Sequence, residues 1–170
     1  MERMQIEAPS ELTLTEKNEF IDVVRAAGEA RGISMDRVNK AVCLVRYFSP
    51  DGLIGTAALK KPGDGYRKGC FSKAGLAELE RSYTLELGYV WAVDGTRGRG
   101  AGHLLVAAAL SQREKKMSVF ATSESSNFGM HRVLDSRHFE HVGKDWLVPR
   151  KDKPHRRLAL FVSPGSERSR

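Results

Sequence analysis

Read for the period of its apolar positions, the chain passes back and forth between strand-like and helix-like segments. Residues 4–8 set Met4, Ile6 and Ala8 two apart and stop at Pro9, which predicts a short first strand. Thr13 and Glu16 make a capping-box pair, after which Phe20, Val23, Val24 and Ala27 recur at helical spacing until Gly32. Residues 35–40 add a short second helix. Residues 41–48 and 53–59 are β-rich runs joined by Ser49-Pro50-Asp51-Gly52. Proline fixes φ there and glycine accepts a positive one, so an antiparallel hairpin is expected. Residues 60–81 exceed an ordinary hairpin connection; KPGDG reads as flexible loop and residues 72–79 as one or two helical turns.

The stretch from 85 to 110 is the most informative, an apolar strand running through a glycine-rich turn into an apolar helix. Tyr83, Leu85, Leu87, Tyr89, Trp91 and Val93 alternate with Thr84, Glu86, Gly88, Val90 and Ala92. Glu86 thus sits in a strand that otherwise reads as buried, where a carboxylate must find partners or shift its pKa upward; both are common at catalytic bases. Arg97, Gly98, Arg99, Gly100, Ala101 and Gly102 form the turn, with the helix expected over 103–116. Glycines there permit positive φ and close approach of a ligand. The first amides of a helix lack intrahelical partners and carry the positive end of its dipole, so an anion such as a pyrophosphate is the natural ligand. The order of the glycines fits neither a Walker A loop nor a dinucleotide-binding fingerprint.

Downstream, residues 117–122 predict a buried strand and residues 123–126 a polar linker. Asn127 is placed to cap a helix over 128–137 whose buried stripe is Met130, Val133 and Leu134. Residues 139–148 and 157–162 predict two closing strands around a loop with Pro149 and Pro154, and residues 163–170 a frayed polar tail.

Composition narrows the function classes. At 170 residues and 41% hydrophobic content the chain suits one domain, expected over 1–162. It has neither an apolar run of membrane-spanning length nor the pattern of a signal peptide, so a soluble cytoplasmic protein is expected, without membrane attachment. Cys43 in an apolar strand reads as a buried thiol and Cys70 in a polar loop as an exposed one, with neither a disulfide nor a metal site expected. His131, His138 and His141 lack a second ligand cluster. The formal charge is +7. Between Lys144 and Arg157 six Lys/Arg face two acids, an excess of four that would attract an RNA or an acidic protein. Apart from Trp146, no Phe, Tyr or Trp interleaves with those charges as a stacking platform, which favours a solvated hairpin loop.

At Glu86-Leu87, the apolar strand after them, and Arg97, Gly100 and Gly102 in the turn, the chain resembles the GNAT superfamily of acetyl-CoA-dependent N-acetyltransferases. The resemblance implies an α/β (α+β) fold with a central, mixed, mostly antiparallel sheet of six to seven strands flanked by helices on both faces. It also implies acetyl transfer from acetyl-CoA to an amine by direct attack in a ternary complex, without a metal. Glu86 would be the base that deprotonates the amine, directly or through water. Amides near Ala92 and Val93 would polarise the thioester if the strand bulges there, and those of Arg97, Gly98, Arg99, Gly100, Ala101, Gly102 and His103 would hold the pyrophosphate. Asn127 matches an asparagine that approaches the cofactor in the family, although capping alone explains it. Phe139 matches the family's aromatic, and His138 stands where a glycine usually precedes it.

Leu134 occupies the position where such enzymes often carry a tyrosine that protonates the leaving thiolate, which leaves Tyr89, Ser125, His131 or water for that role. The insertion over 60–81 departs from a minimal GNAT domain, and Tyr66, Arg67, Lys68 and Phe71 within it would shape the acceptor site. A decorative loop or a homodimer contact is its other use. The acceptor ranges over small molecules, proteins and charged tRNA. The alternatives are a nucleic-acid-binding protein and a catalytically idle CoA-binding domain.

Overall fold

The computed structural model describes residues 1–28, 30, 32–96 and 100–166. Arg97, Gly98 and Arg99 of the glycine-rich turn, and residues 167–170 of the tail, lie outside the described residues. The elements run β1 (Arg3–Glu7), α1 (Leu14–Ala26), α2 (Met35–Asn39), β2 (Cys43–Ser49), β3 (Gly52–Lys60), α3 (Asp64–Lys73) and β4 (Leu85–Ala92). They continue with α4 (Ala101–Leu110), β5 (Val119–Glu124), α5 (Phe128–Asp135), β6 (Glu140–Leu147) and β7 (Arg157–Ser163). Seven strands form one mixed sheet in the order β1-β2-β3-β4-β5-β7-β6, in which β4 and β5 are the parallel pair and the other pairs with a described ladder are antiparallel. No helix among the described residues is long and apolar enough to cross a membrane.

The chain packs as two compact units, residues 1–61 with 87–113 and residues 62–86 with 114–170. Strand β4 passes from one to the other between Glu86 and Leu87.

In the first unit, α1 begins as its capping box requires: Glu16 N–H donates to Thr13 Oγ1 (3.3 Å) and Thr13 N–H to Glu16 Oε2 (2.8 Å). Phe20, Ile21 and Val24 then face a core with Ile33, Val38, Leu44 and Ala58. Within β2 lies a charged residue that the alternation did not single out. Arg46 is 2% exposed and reaches Glu7 Oε2 at 2.8 Å and Glu16 Oε1 at 3.0 Å. Two carboxylates against one guanidinium satisfy a charge that would otherwise be costly to bury. At Gly55 an added Cβ would lie 3.1 Å from Leu105 and 3.3 Å from the Trp91 carbonyl, so α4 rests closely on the sheet of this unit.

In the second unit, α3 corrects the expected loop. KPGDG starts a ten-residue helix rather than a flexible segment, because Cys70 and Phe71 on one face are buried and Asp64 and Lys73 suit its two ends. A 3-10 turn over Ala77–Ser82 follows. Phe71 is fully buried, stacked on Tyr83 (ring centroids 5.6 Å apart) and edge-on to Phe120 (5.3 Å), so it belongs to the core and not to an acceptor surface. Cys70 is likewise buried rather than exposed in a loop, and neither cysteine forms a disulfide. Ser163 closes β7, and Gly165 N–H donates to Ser118 Oγ (3.0 Å), so the chain is tied down beyond the expected end of the domain.

Candidate active site

Strand β4 carries the candidate base. Its ladder with β5 pairs Leu85 with Val119 and Glu86 with Phe120, so Glu86 is the last residue of β4 in that ladder. Glu86 is 3% exposed. The Tyr66 hydroxyl of α3 donates to Glu86 Oε1 at 3.0 Å and lies 3.5 Å from Thr122 Oγ1. The phenol is pushed well above its usual range, first by desolvation and then by the negative charge of Glu86. Tyr66 nonetheless keeps 45% of its surface open and lines an apolar groove with Gly65, Gly69, Trp146 and Leu158. Next to it on the same helix, Arg67 Nε donates to Glu80 Oε1 at 2.7 Å, and Glu80 is 4% exposed. Sequence reasoning missed both contacts, because α3 was not expected.

Beyond Glu86, β4 bends. Tyr89 has φ 54°, left-handed and unusual for a residue with a Cβ in the middle of a strand. Its conformation is held on several sides. Thr56 Oγ1 donates to the Tyr89 carbonyl (2.8 Å), the Phe20 ring meets its ring edge-on, and the Lys60 ammonium lies 4.4 Å from its centroid. The left-handed Tyr89 interrupts the simple alternation of faces along β4. Val93 N–H donates to the Ile54 carbonyl at 2.9 Å, which commits that amide to β3.

The turn ends in Gly100 at φ 84°, a conformation that favours glycine, and a Cβ there would meet nothing within 4 Å. Helix α4 starts at Ala101, two residues before the expected start, with Leu104 N–H donating to the Gly100 carbonyl at 3.1 Å as its first helical bond. The amides of Ala101, Gly102 and His103 precede that ladder, the arrangement that suits an oxyanion. The helix stops at Leu110 and not at 116, since Gln112 and Arg113 bond three residues back and tighten the last turn.

Asn127 caps α5: its Oδ1 accepts from Met130 N–H at 3.1 Å. Leu134 is fully buried. His131 Nε2 lies 3.0 Å from the Glu124 carbonyl and His141 Nε2 2.8 Å from Asp145 Oδ1. His138 has φ 61°; Phe139 N–H bonds the Leu134 carbonyl and His138 N–H that of Asp135, the bond pattern that ends helices on a left-handed residue. In the basic hairpin, Lys153 and Arg156 both pair with Glu124 (3.2 and 2.7 Å) and Arg157 donates to the Asp145 carbonyl, so these cations serve the hairpin itself. No group of three or more His, Cys, Asp and Glu among the described residues is placed to hold a metal ion.

Solved structures match this architecture over nearly the whole chain. ElaA from Escherichia coli shares 14% identity over 95% of this chain and 99% of its own, with a TM-score of 0.66. The yncA protein of Salmonella typhimurium, solved with its cofactor acetyl-CoA, shares 17% over 98% and 96%, at 0.64. An acyl-CoA N-acyltransferase from Pseudomonas aeruginosa shares 12% over 95% and 99%, at 0.62. The chain has the GNAT fold. No protein-family model and no curated protein sequence matches it. The hydrogen bond to Glu86 comes from Tyr66 on α3, the helix that precedes the 3-10 turn over Ala77–Ser82.

Proposed function

We propose that this GNAT-fold protein transfers the acetyl group of acetyl-CoA to an amine. The single observation that carries the reading is left-handed Gly100 at the start of α4, in a chain of this fold: it leaves open space there, with the amides of Ala101 and Gly102 ahead of the helical ladder. That arrangement fits a diphosphate. Arg97, Gly98 and Arg99 would complete the cradle with Gly100, Ala101, Gly102 and His103. Acetyl-CoA, when bound, supplies an acyl group on a thiolate leaving group.

The residues of the chain then have separate tasks. Glu86 takes a proton from the ammonium form of the acceptor, which is not a nucleophile while protonated. Beyond the left-handed residue Tyr89, Ala92 N–H is assigned to the thioester carbonyl. Asn127, with Oδ1 on its cap, would offer its amide nitrogen to the cofactor. The acceptor is a primary amine on a small molecule, a protein or a charged tRNA, and the soluble form acts in the cytoplasm. A thiol-release assay over a panel of amines, run beside Glu86→Gln, tests the assignment. The variant should bind acetyl-CoA as the parent does and turn over slowly at neutral pH; equal rates would acquit Glu86.

A further inference from the structure

Glu86 is nearly inaccessible, at 3% exposure, yet a base must exchange protons with its substrate. A group against it that does reach the surface is Tyr66, 45% exposed, with its hydroxyl 3.0 Å from Glu86 Oε1. A phenol oxygen can accept one proton while giving up another, and Thr122 Oγ1 at 3.5 Å steadies it from a second side. We infer that Tyr66, on helix α3, is the proton relay between the acceptor amine and buried Glu86.

The step rests on the transferase reading above. The ammonium of the acceptor passes a proton to Tyr66 Oη as the Tyr66 O–H proton moves to Glu86 Oε1. A neutral amine, a neutral phenol and a protonated Glu86 result. After acyl transfer the proton returns by the same path to solvent, so that one proton is released per amide formed. The high proton affinity of the phenol keeps Tyr66 protonated throughout the working range, and so always ready to donate. Helix α3 is thereby part of the chemistry, because it carries the Tyr66 hydroxyl that donates to Glu86.

The test compares Tyr66→Phe with the parent in thiol release across pH, using peptides with a free α-amino group as acceptors. At neutral pH the variant should lose about 100-fold or more in kcat/KM, the scale of general base catalysis. The deficit should shrink as pH passes the pKa of the α-amine, about 8, because a free amine no longer needs the base. A deficit constant across pH, or none at all, overturns the relay. A parent enzyme that releases no thiol with any amine overturns the transferase reading instead. A second readout needs no turnover. Ultraviolet titration of the parent should show a phenol ionising well above the usual range that disappears in Tyr66→Phe and moves down in Glu86→Gln; a titration unmoved in Glu86→Gln overturns the contact.

Discussion

Two buried carboxylates, Glu80 and Glu86, are served by adjacent residues of the same short helix, and they differ in what serves them. Arg67 reaches Glu80 with a guanidinium at 2.7 Å, whereas Tyr66 reaches Glu86 with a hydroxyl at 3.0 Å. A guanidinium stays protonated at any working pH and neutralises its partner permanently, which suits a strut. A phenol can hand a proton in either direction, which suits a base. Burial of a carboxylate therefore says little about function until the chemistry of its partner is known.

The largest effect should come from the functional member of the pair. Glu86→Gln is expected to lower turnover at neutral pH by about 10²–10⁴-fold while changing stability by no more than about 1 kcal/mol, read by steady-state kinetics and thermal melting together. Arg67→Met should behave in the opposite way. Stranding Glu80 in the interior costs about 3 kcal/mol, or a fall in Tm of about 6–12 °C for a chain of this size. A melt unchanged in Arg67→Met, or collapsed in Glu86→Gln, would break the comparison.

The strut class has a second member in the other unit, where Arg46 holds Glu7 and Glu16. Glu16 is lowered from 4.5 to about 2, chiefly by the Thr13 amide, then by the Thr13 hydroxyl and Arg46. A depressed carboxylate contributes stability above its unfolded value and loses it as pH falls through its folded one. Tm should thus decline between pH 4.5 and about 2, and Glu16→Gln should make that decline shallower. The smallest effect is expected at His138, held at φ 61° where glycine is unstrained. His138→Gly should gain about 0.5–1 kcal/mol in denaturant unfolding.

Much of this was readable along the chain, for identifiable reasons. The capping box of α1, the β2–β3 hairpin and the succession of β4 and α4 depend on neighbours a few residues apart, and Glu86 stands out as a carboxylate in an apolar strand. What escaped depends on distant partners. Gly65 and Gly69 weaken the local helical signal of α3, which is held by the core contacts of Phe71 with Tyr83 and Phe120. Arg46 looks like a solvent-facing position of β2 until Glu7 and Glu16 are brought to it. The left-handed bend at Tyr89 has no local cause such as glycine; Thr56, Phe20 and Lys60 impose it from elsewhere.

The cradle at the start of α4 supports every catalytic assignment made for Glu86 and Tyr66, so calorimetric titration of acetyl-CoA into the parent and into Gly100→Asp is the most direct test. Saturable binding at one site per chain is expected in the parent and none in the variant, which puts a side chain and a negative charge where the diphosphate belongs and strains a left-handed position by about 1–2 kcal/mol. Absence of binding to the parent, or equal affinity in both, would contradict the account.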